Sequence, residues 1–326
     1  MSLPSHPTDD AGPVTGIEIA DAGTRMSALT ETRQGIRSAV RHSPMPLSPE
    51  EVVERIAQLV QQLDMETGQP ASALGIAVNG QVDAASGVVH MLRYAPGWED
   101  VALAAKVAEA TGVPVYLDST TNAAALAEAR RGAGAAFSHM LYVLPAQSVT
   151  IAYVIGGQIF HGAHGMEGQV AHLPVREGGP RCSCGAAGHV EPLASAQAIV
   201  RTMIGRAAGS DESTAAMLRV SHGRAEAMSA AQVARLAEEG EPVAAAVLAH
   251  ALDALAVALI CALAVLDPDV VVLGGPLAAA GPWYLDQLRT RLEKKRHPFA
   301  IPPLIAAALE PRAVLLGAAQ LAAPAL

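Results

Sequence analysis

The chain has 326 residues, 51% of them apolar and 3% aromatic, with 29 glycines, 3 cysteines and a formal net charge of −9. At roughly 150 residues per domain, this length predicts two domains that each bury a core, and the acidic balance excludes a general nucleic-acid surface, which needs clustered Lys and Arg. Three cysteines do not make a disulfide framework in a chain this long, and the single-residue spacing of Cys182 and Cys184 suits a metal better than a bridge.

Residues 1–14 are polar and Pro-rich and read as a loose arm. They lack the basic and apolar regions of a secretory signal, which predicts a cytoplasmic protein. Two short strands follow, 16–19 and 25–29, joined by a turn with Asp21 and Gly23. Ser48, Pro49 and Glu51 stand where a capping residue, a first helical residue and a capping-box partner belong, ahead of apolar residues at helical spacing. A buried strand over 73–78 ends at Asn79-Gly80. Another, over 113–117, runs into Ser119, Thr120, Thr121 and Asn122 and an Ala-rich helix to Arg131. Strands alternating with helices predict an α/β layout with a largely parallel sheet.

After Gly132 the pattern restarts with apolar strands over 140–162 that read as a hairpin turning at Gly156-Gly157. Helices begin near Glu191 and at Ser229, where Gln232 completes a capping box. The long Ala-rich helix 242–266 contains His250 and Asp253, which argue against a membrane span. Cys261, among its Leu, Ala and Ile residues, reads as core. The strand 270–273 ends in Gly274-Gly275, leaving backbone room for a ligand. A strand over 304–308 and a terminal helix complete the chain.

His172, Cys182, Cys184 and His189 offer two imidazoles and two thiolates, the donor set of tetrahedral zinc. Gly178, Gly179, Gly185 and Gly188 permit the tight turns that aim such ligands inward. The alternative is a surface loop with two free thiols and unrelated histidines. His139, His161 and His164 read as solvated loop or core histidines.

The stretch from Gly165 to Ser195, GMEGQVAHLPVREGGPRCSCGAAGHVEPLAS, resembles the signature of the ROK family, which groups sugar kinases with sugar-responsive transcriptional repressors. The likeness runs from GIEIADAGTRMSAL through LDSTTNAAALAE and VVVLGG to LLGAAQLA. It implies a two-domain actin-like ATPase (ribonuclease H-like) fold, with residues 15–132 plus 306–326 forming the N-terminal domain and 133–305 the C-terminal one. A zinc loop at 162–191 and sugar between the domains are implied too. In the family a His and three Cys bind zinc. His172, Cys182 and Cys184 match, and His189 replaces the last cysteine with an equally good ligand. The resemblance also implies that His172 touches the sugar and that Glu191 accepts hydrogen bonds from hydroxyls near the anomeric carbon. Asn79-Gly80, where Pro-Gly is usual, would form one wall, with Gly97-Trp98 near the opposite rim. An acidic residue in a first helical turn such as Glu191 is equally favoured by the helix dipole. Family dimers, and Ala-rich helices suited to close packing, suggest a homodimer.

The chain departs from the family where phosphoryl transfer is done. The kinases' base is the Asp of an Asn-Asp-Ala-Asn run, which here reads Ser119-Thr120-Thr121-Asn122. A threonine hydroxyl at the base position has no usable pKa for taking a proton. Asp118, if the segment stays extended, points to the same side as Thr120, about 6–7 Å along the chain. The Glu three residues before the signature histidine is Gln169, and the Gly beside it is Ala171. The first phosphate loop is replaced by residues 18–24, and the alternating glycines of the second appear as Ser148, Thr150 and Ala152, which would crowd bare amides. Gly274-Gly275, on the nucleotide side, matches.

The expectation is a non-catalytic, zinc-stabilised sugar sensor, the effector domain of a transcriptional regulator, in which ligand binding changes the angle between domains. Ser119, Thr120, Gln169 and the wall residues would hold the sugar. The residues before Gly16 leave no room for the family repressors' helix-turn-helix, so no direct nucleic-acid binding by this chain is expected. The alternatives are an ATP-dependent sugar kinase of glucokinase or N-acetylhexosamine kinase type, or a structural, partner-binding pseudokinase.

Overall fold

The computed structural model describes residues 12–20, 25–32, 35–41, 48–92, 95, 97–278, 280–295 and 300–323. Most of the N-terminal arm and the turn with Asp21 and Gly23 lie outside them. The chain divides into two compact units, the first made of Met1–Arg131, Gly157–Glu167 and Pro311–Leu326, the second of Gly132–Gly156 and Gly168–Glu310.

In the first unit, β1 (Val14–Ala20), β2 (Arg25–Thr32) and β3 (Gly35–Arg41) form an antiparallel meander. Helix α1 (Pro49–Thr67) starts with the reciprocal Ser48–Glu51 capping box and stops at Gly68 in the left-handed conformation. β4 (Ala73–Val78) pairs parallel to β1. The hairpin β5 (Gly80–Asp83)–β6 (Val88–Leu92) and α2 (Leu103–Thr111) precede β7 (Val115–Ser119), which pairs parallel to β4 and passes directly into α3 (Thr120–Arg131). The sheet order is β3-β2-β1-β4-β7. β7 lies two residues beyond the segment the sequence suggests, because Pro114 accepts from the Leu74 amide but has no N–H to give the ladder.

The second unit opens with β8 (His139–Pro145) and β9 (Val149–Ile155), an antiparallel pair. Their turn lies at residues 146–148, where the Ala146 amide reaches the Ser148 carbonyl; the turn expected at Gly156-Gly157 is present as a second one, at the end of β9. That glycine pair follows β9 and leads to the short β10 (Gln158–Ile159). After the Gly/His/Cys loop come α4 (Glu191–Ala194), α5 (Ala196–Ala207), α6 (Asp211–Val220), α7 (Ala230–Glu238) and α8 (Pro242–Leu266), α7 with the Ser229–Gln232 capping box. β11 (Val270–Leu273) pairs parallel to β8 on one side and to β12 (Leu304–Ala306) on the other. Helices α9 (Gly275–Ala278) and α10 (Pro282–Lys295) lie between β11 and β12 in the chain, and α11 (Ala313–Ala322) returns to the first unit. β12 is two residues shorter than the sequence suggests.

Alternation along the strands sorts the first unit's two faces. Ile17, Ile19, Leu74, Ile76 and Val78 share one core with residues of α1 and α2. Between them, Gly16 and Gly75 receive α11 so closely that a Cβ on Gly75 would lie 1.7 Å from the Ala318 carbonyl oxygen. Gly317 answers from the helix, lying against the Ala123 carbonyl of α3. In the second unit α8 is the central helix, packed on α5, α7 and α10. It is long and apolar enough to cross a membrane, yet most of its apolar window is buried in the protein. Cys261 is exposed, a correction to its reading as core. A helix apolar all round does not show in sequence which side stays outside.

Gly75→Ala is expected to cost about 3 kcal/mol or more, the upper end for forced overpacking, read as a lowered urea midpoint. Gly205→Ala, inside α5 with open space around its Cα, should instead raise the midpoint, by about 0.5–1 kcal/mol.

Candidate functional site

In the first unit the functional groups collect at the carboxyl end of the parallel strands, where α/β sheets bind ligands. The register pairs Val78 with Ser119, so Asn79 and Thr120 are the first residues beyond two adjacent strand ends. Thr120 already begins α3, so the extended alternation with Asp118 does not hold. Ser119 Oγ accepts from the Asn122 amide at 3.1 Å, capping the helix. Gly80 is pressed against β6, where a Cβ would meet the Met91 carbonyl.

Asp118 is 2% exposed. Its Oδ1 accepts from the Ser119 amide and from Asn122 Nδ2, each at 2.7 Å, and its Oδ2 lies 2.8 Å from His161 Nε2. Asn122 Nδ2 also donates to Glu167 Oε1, and the Gly162 amide to Glu167 Oε2. The segment carrying His161 and Glu167 is seated by Arg130, which donates to the Gly157 carbonyl, and by Gln81 against Met166 Sδ. The hydrogen bond that His161 donates to Asp118, outweighing partial burial, raises the His161 pKa above the ordinary imidazole value, helped by the charges of Asp118, Glu167 and Asp83.

In the second unit the Gly/His/Cys loop folds into a knuckle. The Cys182 amide donates to the Ala186 carbonyl, the Gly185 amide to Cys182 and the Gly188 amide to Pro180. Gly188 has φ +74°, and a Cβ there would lie 1.7 Å from the Arg176 carbonyl oxygen, so the bend admits only glycine. This brings one ligand atom each from His172, Cys182, Cys184 and His189 within 4.8 Å of one another. Cys182 Sγ stands 3.6 Å from His172 Nδ1, and Cys184 Sγ 3.4 Å from His189 Nδ1. Bond lengths of about 2.3 Å to sulfur and 2.0–2.1 Å to nitrogen in a tetrahedron give sulfur–nitrogen edges of about 3.5 Å, so the residues present fit zinc. Burial pushes the Cys182 thiol pKa up, so the thiolate needs a cation beside it.

Glu191, 9% exposed, opens α4 next to this knuckle. Its carboxylate accepts from Ser148 Oγ at 2.6 Å and from Ser183 Oγ at 3.1 Å, and Cys182 Sγ lies 4.0 Å away. Gln169 precedes and His172 ends a 3₁₀ turn over Val170–His172, both half-buried, while Ala171 is fully buried. At the end of β11, a Cβ on Gly274 would collide with the Tyr142 hydroxyl. Glu310 Oε1 accepts from both that hydroxyl and the Gly275 amide. The room left by the glycine pair is therefore filled by the chain's own groups.

Trp98, expected near a pocket rim, is 1% exposed in the first unit's core. His161 and His139 are not lone histidines, since the second lies 3.4 Å from Asp269. The Asp118–His161 pair escaped sequence reasoning because its members stand 43 positions apart. The one available signal was a carboxylate, Asp118, directly after the apolar run Val115-Tyr116-Leu117.

The fold is that of a sugar-kinase-like α/β protein, and the chain belongs to the ROK family, which it matches over residues 14–325. It is 26% identical over 308 residues to a glucokinase of Thermotoga maritima, covering 94% of this chain and 96% of that protein. A putative xylose repressor of Caldicellulosiruptor sp. is 30% identical over 227 residues, 68% of this chain and 54% of the repressor, so the matched part is about half of that protein. Among solved structures, a ROK family glucokinase from Streptomyces griseus in complex with glucose and AMPPNP superposes with a TM-score of 0.80 at 27% identity, covering 95% and 99% of the two chains.

Because the folded state raises the His161 pKa, the stability from its pair with Asp118 is fully present below the unfolded pKa of about 6.5 and is lost as pH rises through the raised value. His161→Gln should therefore destabilise more at pH 6 than at pH 8.5 in urea unfolding. An equal loss at both pH values would refute the charged pair.

Proposed function

We propose that the chain is a sugar-binding ROK protein that senses its ligand without phosphorylating it, as the cytoplasmic effector domain of a transcriptional regulator. The observation that carries this reading is the end of β7. The base position holds Thr120, and the nearby Asp118 has both oxygens engaged by Ser119, Asn122 and His161. Transfer of a phosphoryl group needs a proton acceptor on the sugar hydroxyl and bare amides around the phosphates. The second requirement is also poorly met: the Gly275 amide is bound by Glu310, and Ser148, Thr150 and Ala152 carry side chains where the family has glycine.

Sugar as the ligand is supported by relatives from two classes, a glucokinase and a putative xylose repressor, each of whose names refers to a sugar. Each unit carries its own candidate sugar-binding groups: Asn79, Gly80, Ser119 and Thr120 in the first, Gln169, His172 and Glu191 in the second. Binding would act by stabilising one conformation over another through differential affinity. Zinc at His172, Cys182, Cys184 and His189 would tie the loop to the start of α4 and hold Glu191 in place.

A second reading, an ATP-dependent sugar kinase of the glucokinase type, is favoured by the match to almost the whole of a glucokinase. One panel separates the two. Hexoses, pentoses and N-acetylhexosamines are screened by thermal shift, where a sugar at 100 times its Kd should stabilise by about 2.7 kcal/mol. The same sugars are then incubated with ATP and magnesium. The sensor reading expects a stabilising sugar and no sugar phosphate above a Thr120→Ala control, and phosphorylation above that control would overturn it. Protein purified without chelator should carry about one zinc per chain, lost in Cys182→Ala and kept in His189→Cys. Less than about half an equivalent in the unmutated protein would refute the metal assignment.

A further inference from the structure

The hydrogen bonds at the end of β7 assign a tautomer. Asp118 receives three donors, from the Ser119 amide, Asn122 Nδ2 and His161. A carboxylate so surrounded is an acceptor only, so the hydrogen between it and the ring sits on His161 Nε2. In the neutral imidazole Nδ1 is then a bare lone pair. Each oxygen of Asp118 and of Glu167 already accepts at least one hydrogen bond. Nδ1 has none among the described residues. The side chain of His161 is 41% exposed, whereas that of the Asp118 behind it is 3% exposed. The arrangement is a buried carboxylate orienting a solvent-facing imidazole, at the sheet edge that also carries Asn79 and Thr120.

We propose that His161 binds the ligand: its Nδ1 accepts a hydrogen bond from a hydroxyl of the sugar, with Asp118 as the positioning residue, so that binding takes the neutral imidazole and expels its proton. This rests on the sugar-binding reading above and adds to it the pH range in which the site works. The charged groups facing the ring are Asp118 from β7, Glu167 from the same segment and Asp83 from β5. All three favour the imidazolium, so the neutral ring becomes scarce as pH falls, and affinity falls with it. The same three carboxylates repel an anion. The ligand class is therefore an uncharged polyhydroxylated sugar, not a sugar phosphate.

Titration calorimetry of the full chain with D-glucose and D-xylose between pH 5.5 and 8.5, in buffers of different ionisation enthalpy, tests this. The expected result is a Kd that falls as pH rises, by up to about tenfold per pH unit while the imidazole is protonated, with up to one proton released per sugar bound. His161→Gln, which keeps a polar side chain but does not titrate, should flatten the profile. Asp118→Asn should move its inflection to lower pH. Because Asp118 is buried and that variant can misfold, His161→Gln, at a half-exposed position and checked for folding by circular dichroism, decides the matter. A sugar that binds with pH-independent affinity, or a profile unchanged in His161→Gln, overturns the proposal and leaves the sugar-binding reading standing. Binding that tightens as pH falls would make the imidazolium a donor and likewise overturns it. If neither sugar nor any other of the panel binds at any pH, the sugar-binding reading falls and this proposal with it.

Discussion

Asp118 is a carboxylate withdrawn almost entirely from water, and such a charge is tolerated only when its oxygens are satisfied by donors. Much of the local architecture follows from that requirement. The Ser119 amide turns onto the carboxylate, which ends β7 at that residue. With the chain bent there, Ser119 Oγ is free to cap α3, and Asn122, one turn into the helix, reaches back to the same carboxylate. The remaining oxygen draws His161 in from a distant segment. A single buried charge thus joins strand, helix and connecting segment, and the groups that satisfy it line the edge where a ligand would meet the sheet.

The second unit is organised around polar groups in a different way. Here the demanding element is Cys182, a thiol whose burial opposes ionisation, within a knuckle bent by a glycine that no other residue can replace. Glu191 sits beside it with two serine hydroxyls on its carboxylate, one from the knuckle and one from the turn between β8 and β9. Through Glu191, the geometry of a candidate metal centre and that of a sheet turn become interdependent. Displacing either would leave a nearly buried carboxylate short of a donor.

Features decided by neighbours in sequence were legible before the fold was known. The capping boxes at Ser48 and Ser229 and the ends of α8 are set by groups three or four residues apart, and they stand as read. The ligand cluster was legible for the same reason, since its four donors all fall within residues 172–189. What stayed hidden depends on the packing of distant segments. Nothing in the composition of α8 marks the side bearing Cys261 as the outer one, and nothing near Trp98 shows that the first unit's core closes over it. Asp118 could be seen as a carboxylate near the base position, but its partner could be identified only once the Gly157–Glu167 segment had been placed in the first unit.

The path of the chain has one more consequence. It passes between the two units four times, after residues 131, 156, 167 and 310, and α11, which covers the glycine face of the first sheet, follows the second unit in the chain. On the ribosome β1 and β4 must therefore wait, with that face uncovered, until nearly the whole second unit has emerged. The first unit is thus begun before the second and finished after it. During synthesis its exposed strands are the part of the molecule most in need of protection from other nascent chains.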